Sequence, residues 1–236
     1  MATILVPYHQ DEQLPESSFP LPHDRKLTPG LEGDDRFARL RSLYRAVADE
    51  IAGQVRAGET PTIVSGDCLI ASGVVAGVQR AGIDPVVIWL DAHGDVHTPE
   101  TSTSGYLGGM ALRFLLDGEL GTNPMPQRDA TLVDARDLDP AEEDFLATAE
   151  IRRGTVTGVP LPEGPVVLHV DVDVIDPSEV PGLLFPAPGG PSTSTVADAV
   201  RRVRSTGHVV ALHIACPWEP GVGNEIRARL LAEIAG

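Results

Sequence analysis

The sequence predicts an α/β fold: a parallel sheet covered by helices on both faces. Short β-branched runs alternate with segments of helical spacing along the chain. Runs such as "PVVIWL" and "PVVLHV" are apolar at almost every position, as strands buried on both faces must be. Several of these runs end in carboxylates and imidazoles, and open parallel sheets build their sites beyond the carboxyl ends of their strands.

The elements follow in order. A short strand, Thr3 to Pro7, leads into a polar, proline-rich stretch over 9–35 that reads as a surface loop. "DRFARLRSLYRAVADEIAGQVRAG" (35–58) places apolar residues at helical spacing and stops at Gly58. "TPTIVSGDC" is a strand closing in a glycine turn, and "LIASGVVAGVQRAG" is the helix after it. Next come strand "PVVIWLDAH", a loop to about Ser104 and helix "GGMALRFLLDGEL". Strand "ATLVDARD" precedes helix "PAEEDFLATAEIRRG". Strand "PVVLHVDVD", helix "STSTVADAVRRVRSTG", strand "HVVALHIAC" and a helix from about Gly223 complete the series. One alternation without an internal linker or repeat predicts a single domain over 1–236.

Charge and composition exclude several function classes. The net charge of −16 disfavours nucleic acid and anionic membranes as partners, and 18 basic residues form no basic stripe. No apolar run approaches the roughly 20 residues that span a bilayer. The opening "MATILVPYHQDEQ" has neither a basic nor a long apolar region and does not read as a signal peptide. Two cysteines, Cys68 and Cys216, in such a chain predict a reducing cytoplasm, not a disulfide scaffold. With nucleic acid and membrane disfavoured, a small-molecule substrate is the expected partner.

Polar residues collect at four strand ends. "IVSGDC" ends in Asp67 and Cys68, "VVIWLDAHGD" in Asp91, His93 and Asp95, "VVLHVDVDVIDP" in His169, Asp171, Asp173 and Asp176, and "ALHIACPWEP" offers His213, Cys216 and Glu219. Residues two apart on a strand share a face, so Asp91 projects with His93, and His169 with Asp171 and Asp173. Carboxylates brought that close need a cation between them. Oxygen ligands mixed with imidazole suit Mn²⁺, Fe²⁺ or Zn²⁺, and a carboxylate-rich set leans toward Mn²⁺. Asp176 before Pro177 reads as a turn former, and His213 as a core residue.

"DAHGD" followed by "TPETSTSGYLGGM", and "HVDVDVIDP" farther on, resemble the arginase/agmatinase (ureohydrolase) family. Its motifs run G-D-H, D-A-H-x-D-x-N and S-x-D-x-D-x-x-D-P, and the likeness extends from about Thr62 to Pro220. The resemblance implies a three-layer α/β/α fold around a mostly parallel sheet of about eight strands. It also implies trimers or hexamers and a pair of Mn²⁺ ions, with hydrolysis of guanidino groups to an amine and urea by a hydroxide that the metals generate. By that resemblance Asp91 and Asp171 bridge the two ions, His93 and Asp173 complete one ligand set, and Asp95 belongs to the other.

The chain departs from the family pattern at three positions. Cys68 stands where the family has a histidine ligand. Either Cys68 is a ligand, which favours Zn²⁺ or Fe²⁺ there, or that site is weak and one ion does the work. The alternative for Cys68 is a small buried hydrophobe. Gly108 replaces a proton-shuttling histidine, a loss of about 10²- to 10⁴-fold unless His97 or His169 compensates. Cys216 replaces the glutamate that accepts the guanidinium, and Glu219 could substitute only through a shifted loop.

Other positions are kept. Ser104, with Ser102 beside it, matches a carboxylate-binding position. Asp139 and Glu142 match the segment that takes the α-amino group, although their spacing suits a helix N-cap and a first-turn acid equally. The local motifs are similar to the branch that hydrolyses Nω-hydroxy-L-arginine to hydroxyurea and ornithine in a specialised biosynthesis. The expectation is therefore a hydrolase of guanidino or N-hydroxyguanidino C–N bonds. The competing expectation is a protein of this fold that has lost the chemistry and serves binding or regulation.

Overall fold

The computed structural model of the protein describes residues 2–236. The chain opens with β1 (Thr3–Val6), and the polar stretch after it folds into an antiparallel hairpin, β2 (Tyr8–His9) and β3 (Glu12–Gln13), then β4 (Arg25–Lys26). There follow α1 (Arg36–Arg56), β5 (Thr62–Ser65), α2 (Ile70–Arg80), β6 (Val86–Leu90), α3 (Ala111–Asp117), β7 (Ala130–Val133) and α4 (Pro140–Leu146). The last elements are β8 (Arg152–Gly154), β9 (Val166–Asp171), α5 (Thr193–Arg204), β10 (Val209–Ala215) and α6 (Asn224–Ala235).

Eight strands form one sheet in the order β4-β1-β5-β10-β9-β6-β7-β8, and every neighbouring pair is parallel. The predicted α/β architecture is therefore present. Alternate strand residues feed two cores. Ile63, Trp89 and Val167 pack with α1, α2 and α3 on one face. Val64, Ile88, Leu168 and Ile214 pack with α5 and α6 on the other. α1 starts where the sequence places it, because the Asp35 side chain accepts a hydrogen bond from Ala38 N (2.8 Å). α2 lies close on α1: a Cβ at Gly73 or Gly77 would fall 2.8 Å from Val47 or 2.6 Å from Ile51. Here glycine serves close helix approach, outweighing its cost of about 1 kcal/mol in a helix interior.

Two expected elements differ. The stretch 9–35 is not all loop, since Arg25 and Lys26 pair with Ile4 and Leu5 as an edge strand. Its exposed charges carry no strand periodicity, yet they suit an edge that must not recruit another chain. The helix expected over 140–154 ends at Leu146, and Arg152–Gly154 leaves it to pair with Thr131–Val133. Pairing across the sheet overrides the helical preference of "EIRR" there.

The strand order also sets the site. β9 and β10 come late in the chain but lie between β5 and β6. The carboxyl ends of β5, β10, β9 and β6 are therefore neighbours at the point where the winding reverses, which is where such sheets bind ligands.

Candidate metal centre

Three of these strands end in the same local device. Asp67 Oδ1 accepts from Leu69 N (2.9 Å), Asp91 Oδ1 from His93 N (2.7 Å) and Asp171 Oδ1 from Asp173 N (2.9 Å). These are Asx turns, in which a carboxylate caps its own backbone two residues on. They correct one expectation. β6 stops at Leu90 and β9 at Asp171, so His93 and Asp173 lie in turns and not on strand faces. The turns, not period-two alternation, fold each pair together.

The result is a compact, buried group. His93 Nδ1 lies 3.2 Å from Asp173 Oδ2 and 3.4 Å from Asp91 Oδ1. Asp91 presents its other oxygen, Oδ2, to Cys68 Sγ (3.7 Å) and accepts there from Trp89 Nε1 (3.1 Å). The Cys68 thiol donates to Asp171 Oδ2 at 2.7 Å. Two sets of candidate ligand atoms thus share Asp91: Asp91 with His93 and Asp173, and Asp91 with Cys68 and His169. Asp95 enters beside them with its backbone in the left-handed region (φ 54°), which is strained for a side chain other than glycine. Its Oδ2 is buried without a hydrogen-bond partner among the described residues.

Burial drives the electrostatics. It pushes the Asp95 and Asp171 carboxyls well above the usual range, with repulsion from Asp91 added for the first and from Asp173 and Asp91 for the second. Asp173 rises to about 6, through burial and then Asp91, against the pull of His93. Burial works to lower His93, but its hydrogen bonds to Asp173 and Asp91 push it up to about 12. The Cys68 thiol is raised by burial and by the charge of Asp171. Burial is the first cause for the carboxyls and the thiol and repulsion among the carboxylates adds to it, while His93 alone is raised by neighbouring negative charge. An orphaned carboxylate oxygen, converging carboxylates and an imidazole fit divalent cations, and the donor chemistry agrees.

These groups floor a cavity of about 340 Å³. Its walls include His97, Ser102, Ser104, Asp137, Asp139, Glu142, Tyr106 and Phe185. His97 Nε2 meets Asp139 Oδ2 at 2.9 Å, and its Nδ1 meets Thr101 Oγ1 at 3.1 Å. Glu142 lines the cavity but is occupied, taking Val96 N on Oε1 (3.2 Å) and Asp139 N on Oε2 (3.1 Å). It ties α4 to the loop after β6, in keeping with the helix-start alternative.

Cys216 and Glu219 do not reach the cavity, which corrects their assignment to substrate. Cys216 follows the end of β10 and packs in the core with α5 and α6, away from the cavity. Glu219 is exposed, and its loop is held in place: Glu219 N donates to Gly182 O (2.8 Å) and Arg227 Nη1 donates to Glu219 O (2.6 Å). Arg227 itself stacks on Trp218 at 4.4 Å, so no shifted register brings the carboxylate inward.

Sequence reasoning missed Tyr106 and His9. A Cβ on Gly108 would fall 2.2 Å from Tyr106 Cε1, so the tyrosine ring fills the space a side chain at 108 would need. His9 Nδ1 donates to Gly66 O (3.1 Å), which leaves Nε2 to accept from the Tyr106 hydroxyl (3.3 Å). The only local signal is an aromatic two residues before a glycine pair. His9 comes from the stretch read as loop.

The profile of the Arginase family matches residues 31–235. The chain belongs to the arginase family. Among curated members, an arginase of Schizosaccharomyces pombe is 29% identical over 243 residues, covering 89% of this chain and 74% of that one. The N(omega)-hydroxy-L-arginine amidinohydrolase of Streptomyces lavendulae is 30% identical over 167 residues, covering 65% of this chain and 61% of the relative's length. Among solved structures of the family, an arginase from Bacillus cereus superposes with a TM-score of 0.80 at 21% identity, covering 99% and 97% of the two chains. At that identity the superposition establishes the three-layer arginase fold.

Proposed function

We propose that this member of the arginase family is a metal-dependent hydrolase that cleaves a guanidino C–N bond of a small molecule, N-hydroxyguanidines foremost. The observation that carries this is the buried floor of Asp91, His93, Asp95, Asp171 and Asp173 beneath a cavity of about 340 Å³, within the range of small-molecule sites. Ions held by that floor supply an attacking water of lowered pKa and positive charge where negative charge develops. The carboxylate end suits Mn²⁺, and the Cys68 end suits Zn²⁺ or Fe²⁺.

The chain's own groups do the rest. Asp95 Oδ2, unpartnered among the described residues, faces the floor as an acceptor for the water's proton. His97, held by Asp139 and Thr101, carries a proton at the rim for the departing amine. Ser102 and Ser104 offer hydroxyls to a carboxylate, and Asp139 offers charge to an ammonium. Tyr106 and Phe185, with ring centroids 4.8 Å apart, form an aromatic wall of the cavity.

Substrate choice follows from what the walls lack. With Cys216 and Glu219 outside the cavity, neither supplies a countercharge for a fully cationic guanidinium. An N-hydroxyguanidine is less basic and requires less countercharge, while its alkylamine leaving group still takes a proton, a role that falls to His97. The name of the Streptomyces lavendulae relative, an N(omega)-hydroxy-L-arginine amidinohydrolase, supports this choice. The reading takes 1–236 as one domain, working in the cytoplasm as a trimer or hexamer.

The test is elemental analysis of bound metal, then urea, hydroxyurea and amine release across a panel of guanidines with added Mn²⁺ or Zn²⁺. We expect bound metal and fastest turnover of the N-hydroxyguanidine. No bound metal after reconstitution would overturn the reading. Metal without turnover would favour the binding or regulatory role, which the changes at Gly108 and Cys216 motivate.

A further inference from the structure

Behind Cys68 lies a line of buried polar groups that the proposed hydrolysis does not use. Ser65, His213 and His169 come from three neighbouring strands, β5, β10 and β9, and all are fully buried. Ser65 Oγ donates to Asp67 O (2.9 Å), a carbonyl that can only accept. The one hydroxyl proton is thereby committed, so His213 Nε2–H donates to Ser65 Oγ (2.8 Å). His213 Nδ1 is then the bare nitrogen, and it accepts from His169 Nδ1–H (2.8 Å). By elimination His169 Nε2 carries a lone pair and no proton, and it has no hydrogen-bond partner among the described residues. The ring is clamped as well as wired, stacked on Trp89 at 3.7 Å between centroids.

A His169 ring nitrogen, the Cys68 sulfur and an Asp91 carboxylate oxygen all lie within 4.8 Å of one another, and with Nδ1 taken up by His213 the nitrogen left to bind is Nε2. A tetrahedral ion with bonds of about 2.0–2.3 Å needs ligand atoms about 3.3–3.8 Å apart, so only a small contraction is required. The Cys68 to Asp91 separation is already 3.7 Å, and Asp171 Oδ2 stands 2.7 Å from the sulfur as a fourth donor. An imidazole whose far nitrogen is fixed by a hydrogen bond is the ordinary form of a metal-ligating histidine.

We propose that Cys68, Asp91 and His169 form a thiolate–carboxylate–imidazole site in which His169 is a ligand, oriented by His213 and Ser65, and that this site takes a borderline-soft ion such as Zn²⁺. The ion replaces the thiol proton, which leaves to solvent. The chain thus has an imidazole at 169 to serve the ion whose histidine ligand is absent at 68. The inference rests on the proposed metal-dependent reading through Asp91, but its test does not depend on turnover.

The experiment titrates the metal-free full-length protein with Co²⁺, read by absorption, and with Zn²⁺, read by competition against a chromophoric chelator. Wild type should show a sulfur-to-cobalt charge-transfer band and the strong visible bands of a tetrahedral site. Cys68→Ser should lose the charge-transfer band. His169→Gln should keep that band but change the visible bands and weaken Zn²⁺ at least about 10-fold. Ser65→Ala, a milder change that keeps the fold within reach, should weaken Zn²⁺ about 10- to 100-fold by releasing the relay. Circular dichroism confirms folding of each. A wild-type Co²⁺ complex without sulfur character would overturn the proposal, as would unchanged spectra and affinity in both His169→Gln and Ser65→Ala. Should the cobalt spectrum depend on His169 while no guanidine is hydrolysed, the functional reading fails and the site stands. Hydrolysis with no such dependence leaves the functional reading standing and removes the site.

Discussion

The floor of the cavity and its rim are built by different rules. On the floor, Asp91, Asp171 and Asp173 are 1–2% exposed and sit at the ends of adjacent strands, each held by Asx turns and backbone donors. At the rim, Ser104 and Asp139 are exposed and come from the loop after β6 and the start of α4. The floor gathers mutually repelling carboxylates, with burial raising Asp95 and Asp171 and with His93 as their charged neighbour. The rim is solvated and accommodates substitution, such as Gly108 with Tyr106 folded over it. A scaffold can therefore keep its metal chemistry while its substrate changes, because the costly part is tied to the sheet and the adaptable part is not.

The sharpest break of this comparison is on the floor. Asp171→Asn should remove an ion by elemental analysis and lower hydrolysis by about 10²-fold or more. Rim substitutions such as Ser104→Ala should shift KM more than kcat. Equal losses in both regions would erase the distinction.

The next effect tests whether the rim can revert. Gly108→His places a Cβ 2.2 Å from the Tyr106 ring, so we expect destabilisation of about 1–3 kcal/mol in urea unfolding. Pairing it with Tyr106→Asn should recover most of that loss. Full stability in the single variant would show that Tyr106 moves freely.

The floor's charge should also be visible as a pH dependence of the metal-free protein. Folded His93 keeps its proton up to about pH 12, whereas the unfolded chain sheds it near the ordinary histidine value of 6.5. Its stabilisation is complete below 6.5 and is lost as pH rises through the folded value. Asp173, raised to about 6, changes sides below this window and leaves the sign unaltered. His93 alone should thus lower stability by up to about 1.4 kcal/mol per pH unit above pH 6.5, and the raised Asp95 and Asp171 carboxyls act in the same direction, read as the urea midpoint. Saturating metal should flatten that slope, because His93 then gives its lone pair to the ion in the folded state. An unchanged slope would place the ion elsewhere.

The smallest effect is expected outside the cavity. Glu219→Gln should alter stability by less than about 0.5 kcal/mol and leave KM within twofold. A large rise in KM would return Glu219 to the substrate.

Much of this was legible from residues. "DAHGD" and "HVDVD" announced the floor, and apolar runs between helical segments announced the sheet. Other features were not legible for physical reasons. Arg25–Lys26 and Arg152–Gly154 became strands because neighbouring edges offered hydrogen bonds, not because their own pattern asked for it. Cys216 left the site because the chain just past β10 packs it against α5 and α6. Glu219 followed because Arg227 holds its loop.

By itself the sequence determined the alternation of strands and helices, the family and the residues of the floor, since periodicity and Asx-turn chemistry act over a few neighbouring positions. Only the tertiary structure decided which groups meet across the sheet. Ser65, His169 and His213 are far apart in the chain, and they touch because β9 and β10 insert between β5 and β6. Strand order is a property of the whole packed sheet, and no local stretch encodes it.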